Sequence, residues 1–277
     1  MTCQLTVLCE NSVAFPHGLM GEHGWAVHVD TGSRRLLLDT GQGLGLLNNS
    51  RVLGVDLTRL DGIVISHGHY DHTSGLPDAL AVSGEIDVYM HPDGFVDRYW
   101  FKDGQQREIG IRHKQGYLES LGARFRPVRE FTEIFPGMYL TGEVPKVSDF
   151  EPPDATMKIR AADGGWQQDA LRDDLSMVVD TAKGLTVVLG CAHAGLINIL
   201  THINAMLPGR PIHMVIGGTH LGFADQQQFD ATVAALDQFG VERLGASHCT
   251  GLAHCARLQQ VYGDRFFFAA AGTRWAC

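Results

Sequence analysis

The chain has 277 residues, of which 44% are hydrophobic and 19% charged, and its formal net charge is -9 at pH 7. No apolar stretch approaches the ~20 residues that span a bilayer. No block of Lys and Arg offers a surface for the phosphate backbone of a nucleic acid. The composition therefore predicts a globular protein whose partner is a small molecule rather than a membrane or a nucleic acid, and it leaves the oligomeric state open.

The cysteines and the first residues bear on location. Six cysteines are scattered without a C-x-x-C pair, and the opening MTCQLTVLCENS lacks the basic start and the cleavage site of a signal peptide. We therefore expect reduced thiols and a cytoplasmic protein. No repeat or linker interrupts the chain, so residues 1–277 are predicted to form a single domain.

Strand and helix patterns alternate along the chain. Runs rich in Val, Ile and Leu predict strands at 4–8, 25–30, 35–39, 62–66, 86–90, 176–180, 185–190, 212–217 and 241–247. Helical periodicity predicts helices at 75–83, 195–207, 224–240 and 251–263. Buried strands that alternate with helices indicate an α/β protein in which helices cover layers of sheet.

Several predicted strands end in a side chain that binds metals. His67, Cys191 with His193, His220 and His248 each follow a strand directly. Because ligands bind at the carboxyl ends of strands in such sheets, we expect these side chains to meet at one site.

The densest cluster is the segment HGHYDH at 67–72. Imidazole and carboxylate groups bind first-row divalent metals, and a tight loop after a strand can aim alternate residues at two ions. His67 and His69 are predicted to hold one metal, and Asp71 and His72 the other. The cofactors predicted are thus two divalent ions, Zn first, with Fe or Mn as alternatives.

The segment HGHYDHTSGL at 67–76 resembles the H-x-H-x-D-H-x-x-G-L signature of the metallo-β-lactamase-fold superfamily. The segments TGEVP (141–145), GLTVVLGCAHAGLINIL (184–200) and HCTGLA (248–253) are similar to the subgroup named for 7,8-dihydropterin-6-methyl-4-(β-D-ribofuranosyl)aminobenzene-5'-phosphate synthase. The resemblance implies a four-layer αβ/βα sandwich of the metallo-β-lactamase type with a dinuclear site at one edge of the sheets.

One part of the superfamily pattern is missing. Familiar hydrolases of the superfamily carry a third histidine before the bridging carboxylate, yet no histidine occurs here between His113 and His193. His193 is the preferred replacement ligand, because small residues on both sides let the backbone approach a metal. Cys191, at the position of the bridging aspartate, and Asp173 or Asp174, near the slot of the missing histidine, remain alternatives.

The resemblance also suggests roles for other residues. His248 matches the last histidine ligand of the superfamily, and Asp39 resembles the aspartate that braces the H-x-H loop. His220 has no firm counterpart among the usual ligands, so a hydrogen-bonding role toward a ligand or substrate is predicted for it. His23 is expected to face the site.

Residues 92–172 are interpreted as a cap or insertion over the metal edge. Aromatic side chains stand there beside Arg98 and Arg112, a combination that can stack a ring and pair with an anion. These two arginines, together with His23 and Glu143, are the candidates for substrate binding. A solvated connection packed on the body of the protein is the alternative interpretation of the segment.

Hydrolysis is the simplest chemistry for two adjacent metals, because they can turn a bridging water into hydroxide and polarise the bond to be cleaved. Asp71 is the candidate catalytic residue that orients the water or takes its proton. The predicted function is a metal-dependent hydrolase acting on a small anionic, phosphorylated or ester-bearing metabolite. The alternatives are a synthase that condenses a pterin with a ribofuranosylaminobenzene phosphate, as the subgroup name implies, and a redox or regulatory metal protein.

Overall fold

A computed structural model describes residues 2–277. The first of two large sheets has the strand order β18–β1–β2–β3–β4–β5–β8. Its strands are β1 (Gln4–Cys9), β2 (Ala26–Asp30), β3 (Arg35–Leu38), β4 (Gly62–Val64), β5 (Ile86–Met90), β8 (Ala123–Pro127) and β18 (Arg274–Ala276). From β3 to β8 the neighbouring strands are parallel.

The second large sheet has the order β17–β16–β15–β14–β13–β10–β9. Its strands are β9 (Thr132–Phe135), β10 (Met138–Leu140), β13 (Met177–Thr181), β14 (Gly184–Val188), β15 (Ile212–Gly218), β16 (Arg243–Ser247) and β17 (Phe266–Phe268). Strands β14 to β17 are parallel. Their carboxyl ends therefore lie at one edge of the sheet.

Seven helices accompany the sheets: α1 (Leu46–Leu53), α2 (Tyr70–Thr73), α3 (Leu76–Ser83), α4 (Gln115–Ser120), α5 (Leu196–Met206), α6 (Gln226–Phe239) and α7 (Leu252–Tyr262). The nine predicted strands and four predicted helices all appear, with ends displaced by one or two residues. Residues 2–277 contain no helix with the length and apolar composition that crossing a membrane requires.

Alternation along the strands creates the layers. In β3, Leu36 and Leu38 join the core between the two sheets, whereas Leu37 points to the core under α1, α3 and α4. In β14, Val188 faces the first sheet and Val187 faces α5, α6 and α7. Both faces of each sheet are thus buried. Successive side chains of a strand point to opposite faces, so a strand made wholly of apolar residues needs cover on both sides. The predicted four-layer αβ/βα sandwich is confirmed.

A third, four-stranded sheet lies within the segment interpreted as a cap. It has the order β12–β11–β6–β7 and is formed by β6 (Arg98–Lys102), β7 (Gln105–Glu108), β11 (Met157–Arg160) and β12 (Trp166–Gln168). Not all of residues 92–172 belong to this small sheet, because β8, β9 and β10 are strands of the two large sheets. The cap proposed for 92–172 is therefore best restricted to the four-stranded sheet.

Candidate metal centre

The loops that follow the parallel strands bring the predicted ligands together. His67 follows β4, Cys191 and His193 follow β14, and His248 follows β16. All four side chains are at least nine-tenths buried. Trp25 ties the two sheets beneath this edge, since its buried Nε1 donates to the carbonyl of Leu189 across 2.9 Å.

Three histidines form the first group of donor atoms. His67, His69 and His193 each offer a ring nitrogen, and these atoms lie within 4.8 Å of one another. His67 Nε2 is 2.9 Å from His69 Nδ1, and the His193 ring stands 4.8 Å and 4.9 Å from theirs. His193 therefore supplies the third donor atom of this group.

The second group lies beside the first. It contains Asp71 and His248, whose Oδ2 and Nε2 atoms are 3.3 Å apart, together with His23. His72 Nε2 is 3.2 Å from His248 Nε2, so His72 is also counted in this second group. His23, predicted to face the site, is exposed and places its Nε2 3.2 Å from Asp71 Oδ2. Burial acts to raise the pKa of Asp71, but the neighbouring His72, His23 and His248 outweigh it and hold this pKa well below the usual range.

Cys191 lies between the two groups. Its Sγ is 3.2 Å from His72 Nε2, and it forms a third set of candidate ligands with His67 and His72. A thiolate at this point would face both metal positions. Burial raises the pKa of the Cys191 thiol, so the proton stays on unless a cation displaces it.

Asp39 orients one histidine of each group. His72 Nδ1 donates to Asp39 Oδ2 across 2.7 Å, which turns His72 Nε2 toward His248 and Cys191. Ser66 Oγ donates to the same oxygen across 2.6 Å and accepts from His67 Nδ1 at 2.9 Å, which turns His67 Nε2 toward His69. Asp39 thus orients the rings of two proposed ligands.

His248 is oriented from the opposite side. Its Nδ1 donates to Asn11 Oδ1 across 3.1 Å, and its backbone N–H donates to Glu10 Oε1 across 2.7 Å. The Nε2 atom consequently points at Asp71. Neither Glu10 nor Asn11 was predicted, because a loop near the start of the chain carries no sign that it packs against residue 248.

Backbone strain concentrates at this edge. Asp39, Ala192, His220 and His248 have φ angles of 59°, 57°, 55° and 50°, and they are four of the six non-glycine residues with positive φ in the described chain. Such conformations persist only where surrounding contacts enforce them, and they cluster at functional sites. Gly68 has a separate constraint, because a Cβ there would collide with the carbonyl oxygen of Gly94.

The donor set fits divalent ions. Within residues 2–277, the buried atoms His69 Nε2, His193 Nδ1 and His193 Nε2 have no hydrogen-bond partner. Burial lowers the pKa of His67 and His193 well below its usual value and that of His69 to about 3, so all three rings are neutral and keep a lone pair. Uncharged imidazoles with free nitrogens beside a carboxylate and a thiol suit Zn²⁺ or Fe²⁺.

The prediction that Arg98 contacts substrate is corrected by its surroundings. Arg98 is 2% exposed, and its Nε donates to Asp169 while its Nη2 donates to Asp173, across 2.8 Å and 2.7 Å. The other carboxylate oxygen of Asp173 accepts the N–H of Gly68 at 2.7 Å. Arg98 therefore connects the small sheet to the H-x-H loop, and Asp173 is used as the link rather than as a ligand.

Asp174 also serves the backbone. Its Oδ2 accepts the N–H of Ala194 across 2.8 Å, and burial raises its pKa to about 7. Neither it nor Asp173 belongs to a group of converging donor atoms in the described chain. Asp174 thus supports the loop that carries Cys191 and His193.

The remaining candidates divide between the site and its surroundings. The His220 ring lies 4.3 Å from that of His193, tilted by 55°, and His220 pairs with Asp154 across 3.4 Å, so it lies next to the donor atoms as expected. Arg112 lies 4.5 Å above the ring of Tyr70 at the rim. Glu143 instead pairs with His91 across 3.0 Å and does not line the cavity described next. Its proposed contact with substrate is therefore not supported.

A cavity of about 440 Å³ opens over the donor atoms. Besides His23, His69, Asp71, Cys191, His193, His220 and His248, its wall includes Tyr70, Trp100, Arg107, Ile109, Met157, Phe223 and Cys249. Trp100 and Arg107 belong to the predicted aromatic and basic segment but were not among its candidates for substrate binding, which were Arg98 and Arg112. The Asp103-Gly104 pair could have indicated that Trp100 and Arg107 face each other, because Asp-Gly between two strand-like runs predicts a hairpin. Both residues of the pair have positive φ in the structure.

The comparisons with known proteins agree with this architecture. The sequence model of the metallo-β-lactamase superfamily matches residues 20–159, and the chain belongs to that superfamily. The 7,8-dihydropterin-6-methyl-4-(β-D-ribofuranosyl)-aminobenzene-5'-phosphate synthase of Methanocaldococcus jannaschii is 27% identical over 258 residues, covering 90% of this chain and 87% of that protein. The subgroup resemblance is thereby confirmed.

Two solved structures are also similar. The crystal structure of Tm1679, a metal-dependent hydrolase of the β-lactamase superfamily, superposes with a TM-score of 0.85 at 29% identity, over 99% of this chain and 98% of that one. A diphosphatase of the PhnP family superposes with a TM-score of 0.56 at 15% identity, over 100% of this chain and 98% of that one. At that identity the superposition shows a common fold.

The position of Cys191 leads to a test of its role. If its thiolate binds a metal, alkylation of Cys191 in the metal-loaded protein is expected to be slow and to accelerate at least tenfold after a chelator removes the metal. Peptide mapping by mass spectrometry measures both rates. Cys9 is the matched control, because it is fully buried in the core and labels only if the fold opens. Equal labelling of Cys191 with and without metal, while Cys9 stays protected, would favour a packing role.

Proposed function

We propose that the chain is a dinuclear metal-dependent hydrolase that acts on a small anionic ester. The observation that carries the proposal is the pair of neighbouring donor groups, His67, His69 and His193 beside Asp71, His72 and His248. Four of these six residues, His69, Asp71, His193 and His248, line one cavity. A volume of about 440 Å³ suits a small metabolite. Membership of the metallo-β-lactamase superfamily also supports metal-dependent chemistry.

Two adjacent divalent ions would supply a hydroxide near neutral pH and a Lewis acid for the bond to be cleaved. Asp71 stays ionised, because its histidine neighbours hold its pKa low, so it orients a water by accepting a hydrogen bond rather than storing the proton. His23, exposed beside it, is placed to exchange protons with solvent. His220, beside His193 at the cavity wall, is placed to donate a hydrogen bond to a bound oxyanion.

A synthase is the second candidate, favoured by the M. jannaschii relative that matches nearly the whole chain. Condensation and hydrolysis make different demands on the same cavity. A synthase must hold two organic substrates together, whereas a hydrolase must admit one substrate and a water. The products distinguish the two reactions directly.

The experiment is a screen of metal-loaded protein, purified without oxygen, against phosphate esters, thioesters and lactones. We expect hydrolysis of at least one class, with the rate falling to background when a chelator is added and recovering when metal is restored. Metal content is measured on the same sample, so that a preparation without activity is known to have contained its metal. If a fully loaded protein hydrolyses none of the three classes, but joins a pterin to an aryl ribofuranosyl phosphate, the synthase alternative replaces the hydrolase.

A further inference from the structure

The small sheet presents a row of three side chains to the cavity. Trp100 on β6 pairs in register with Arg107 on β7 and with Met157 on β11. Residues directly opposite on neighbouring strands point to the same face of a sheet. All three line the cavity above the donor atoms. The row therefore forms one continuous wall, with an aromatic ring between an apolar side chain and a cation.

The opposite face of the sheet is already occupied by its own contacts. Tyr99 and Phe101 alternate with Trp100, and their rings lie 4.8 Å and 4.7 Å from that of Trp166. Arg160 covers the same Trp166 ring at 3.7 Å. Trp100, in contrast, takes part in no ring stack or cation–π contact within residues 2–277. An indole that is left unstacked on a cavity wall offers a flat surface to a ligand.

Arg107 is the second side chain of the row that lacks a partner in the described chain. It is exposed, and the described chain gives it no carboxylate within salt-bridge distance, whereas Arg98 on the neighbouring strand is held by two. A guanidinium in this situation keeps all its donors for an anion that arrives from solution. Arg107 also stands on β7 of the small sheet and belongs to none of the groups of converging donor atoms. An anion that pairs with it is therefore held by the small sheet and not by those donor atoms.

From this arrangement we infer that the small sheet recognises a flat ring that bears an anionic group remote from the reacting bond. The ring lies against Trp100 and Met157, and its carboxylate or phosphate pairs with Arg107, while the ester faces the histidines and Asp71. The inference rests on the proposed function for the identity of the reacting group. It goes beyond that function in naming an aromatic substrate with two separated polar ends and the residues that select it.

Calorimetric binding of two phosphonates to the metal-loaded protein tests the recognition without requiring turnover. Benzylphosphonate carries the ring and the oxyanion, and 4-carboxybenzylphosphonate adds an anion at the far end. We expect the carboxylated ligand to bind about tenfold more tightly to the wild type, the preference to disappear in Arg107→Gln, and both affinities to fall roughly tenfold in Trp100→Ala. Arg160→Gln, on the outer face of the same sheet, is the matched control and should retain wild-type values.

Three results overturn the inference: equal affinity of both ligands for the wild type, a preference that survives in Arg107→Gln, or an equal loss in Arg160→Gln. Metal content of every variant is measured beforehand, so that a lost donor group is not mistaken for lost recognition. The outcome is independent of the ester screen. A protein that hydrolyses esters without this preference contradicts only the recognition, whereas one that shows the preference but hydrolyses nothing contradicts only the hydrolase.

Discussion

Replacing His69 with alanine is expected to reduce turnover to the background rate and to lower bound metal, with the far-ultraviolet circular dichroism of the wild type retained. His69 is 5% exposed and stands 2.9 Å from His67, with its Nε2 lacking a partner in the described chain. Its ring belongs to no hydrophobic core cluster. Removing it should thus take away a ligand while the large sheets keep their packing.

The thermal shift that added metal produces gives a second measurement of the same variant. A ligand that binds only the folded state raises its stability by an amount that depends on affinity, so the shift should be smaller in His69→Ala than in the wild type. His254→Ala is the control, because His254 lies on α7 against Phe229 and outside the donor groups. Full metal content and wild-type turnover in His69→Ala would remove His69 from the proposed centre.

Arg98→Met is expected to cost about 3–5 kcal/mol of unfolding free energy, because it leaves Asp169 and Asp173 buried without their cation. Burial raises the pKa of Asp173, and the guanidinium of Arg98 with the N–H of Gly68 acts against that rise. The loss should extend to metal affinity, since Asp173 also holds the backbone between His67 and His69. Urea unfolding and metal titration measure the two effects.

The control for this change is Arg160→Met. Arg160 lies on the same small sheet, but it is exposed and contacts the rings of Trp166 and Tyr99 and the carbonyl of Gly164, with no carboxylate partner in the described chain. Its removal should therefore cost less than about 1 kcal/mol. A substitution of Arg98 that lowers stability without changing metal affinity would show that the link through Asp173 does not reach the H-x-H loop. Equal costs for the two arginines would contradict the buried ion-pair network itself.

The elements and the donor groups were predictable because their signals are local or repeated. Strands such as β14 consist of consecutive apolar residues, and the cluster from His67 to His72 is contained in six positions. His193 and His248 were found through a regularity, namely their place directly after a strand. None of these predictions required knowing which distant segments of the chain come into contact.

Arg98 shows where such reasoning fails. Beside aromatic residues it resembles a group that binds anions at a surface, and only the fold brings Asp169 and Asp173, more than 70 positions away, to its guanidinium. Glu143 was misjudged for the same reason, since its partners His91 and Arg129 come from other elements. The pairing of Trp100 with Arg107 was not predicted, because the hairpin at Asp103-Gly104 that sets their register was not recognised.

The central claim is that two metal ions lie at the donor groups. Anomalous-difference maps from crystals of anaerobically purified protein, recorded on both sides of the zinc, iron and manganese absorption edges, test it most directly. We predict two peaks at about 2.0–2.3 Å from their ligands, one bound by His67, His69 and His193 and the other by Asp71, His72 and His248. The edge at which the peaks appear identifies the metal. A map with no peak at either position, or with a single peak bound by other residues, would contradict the account.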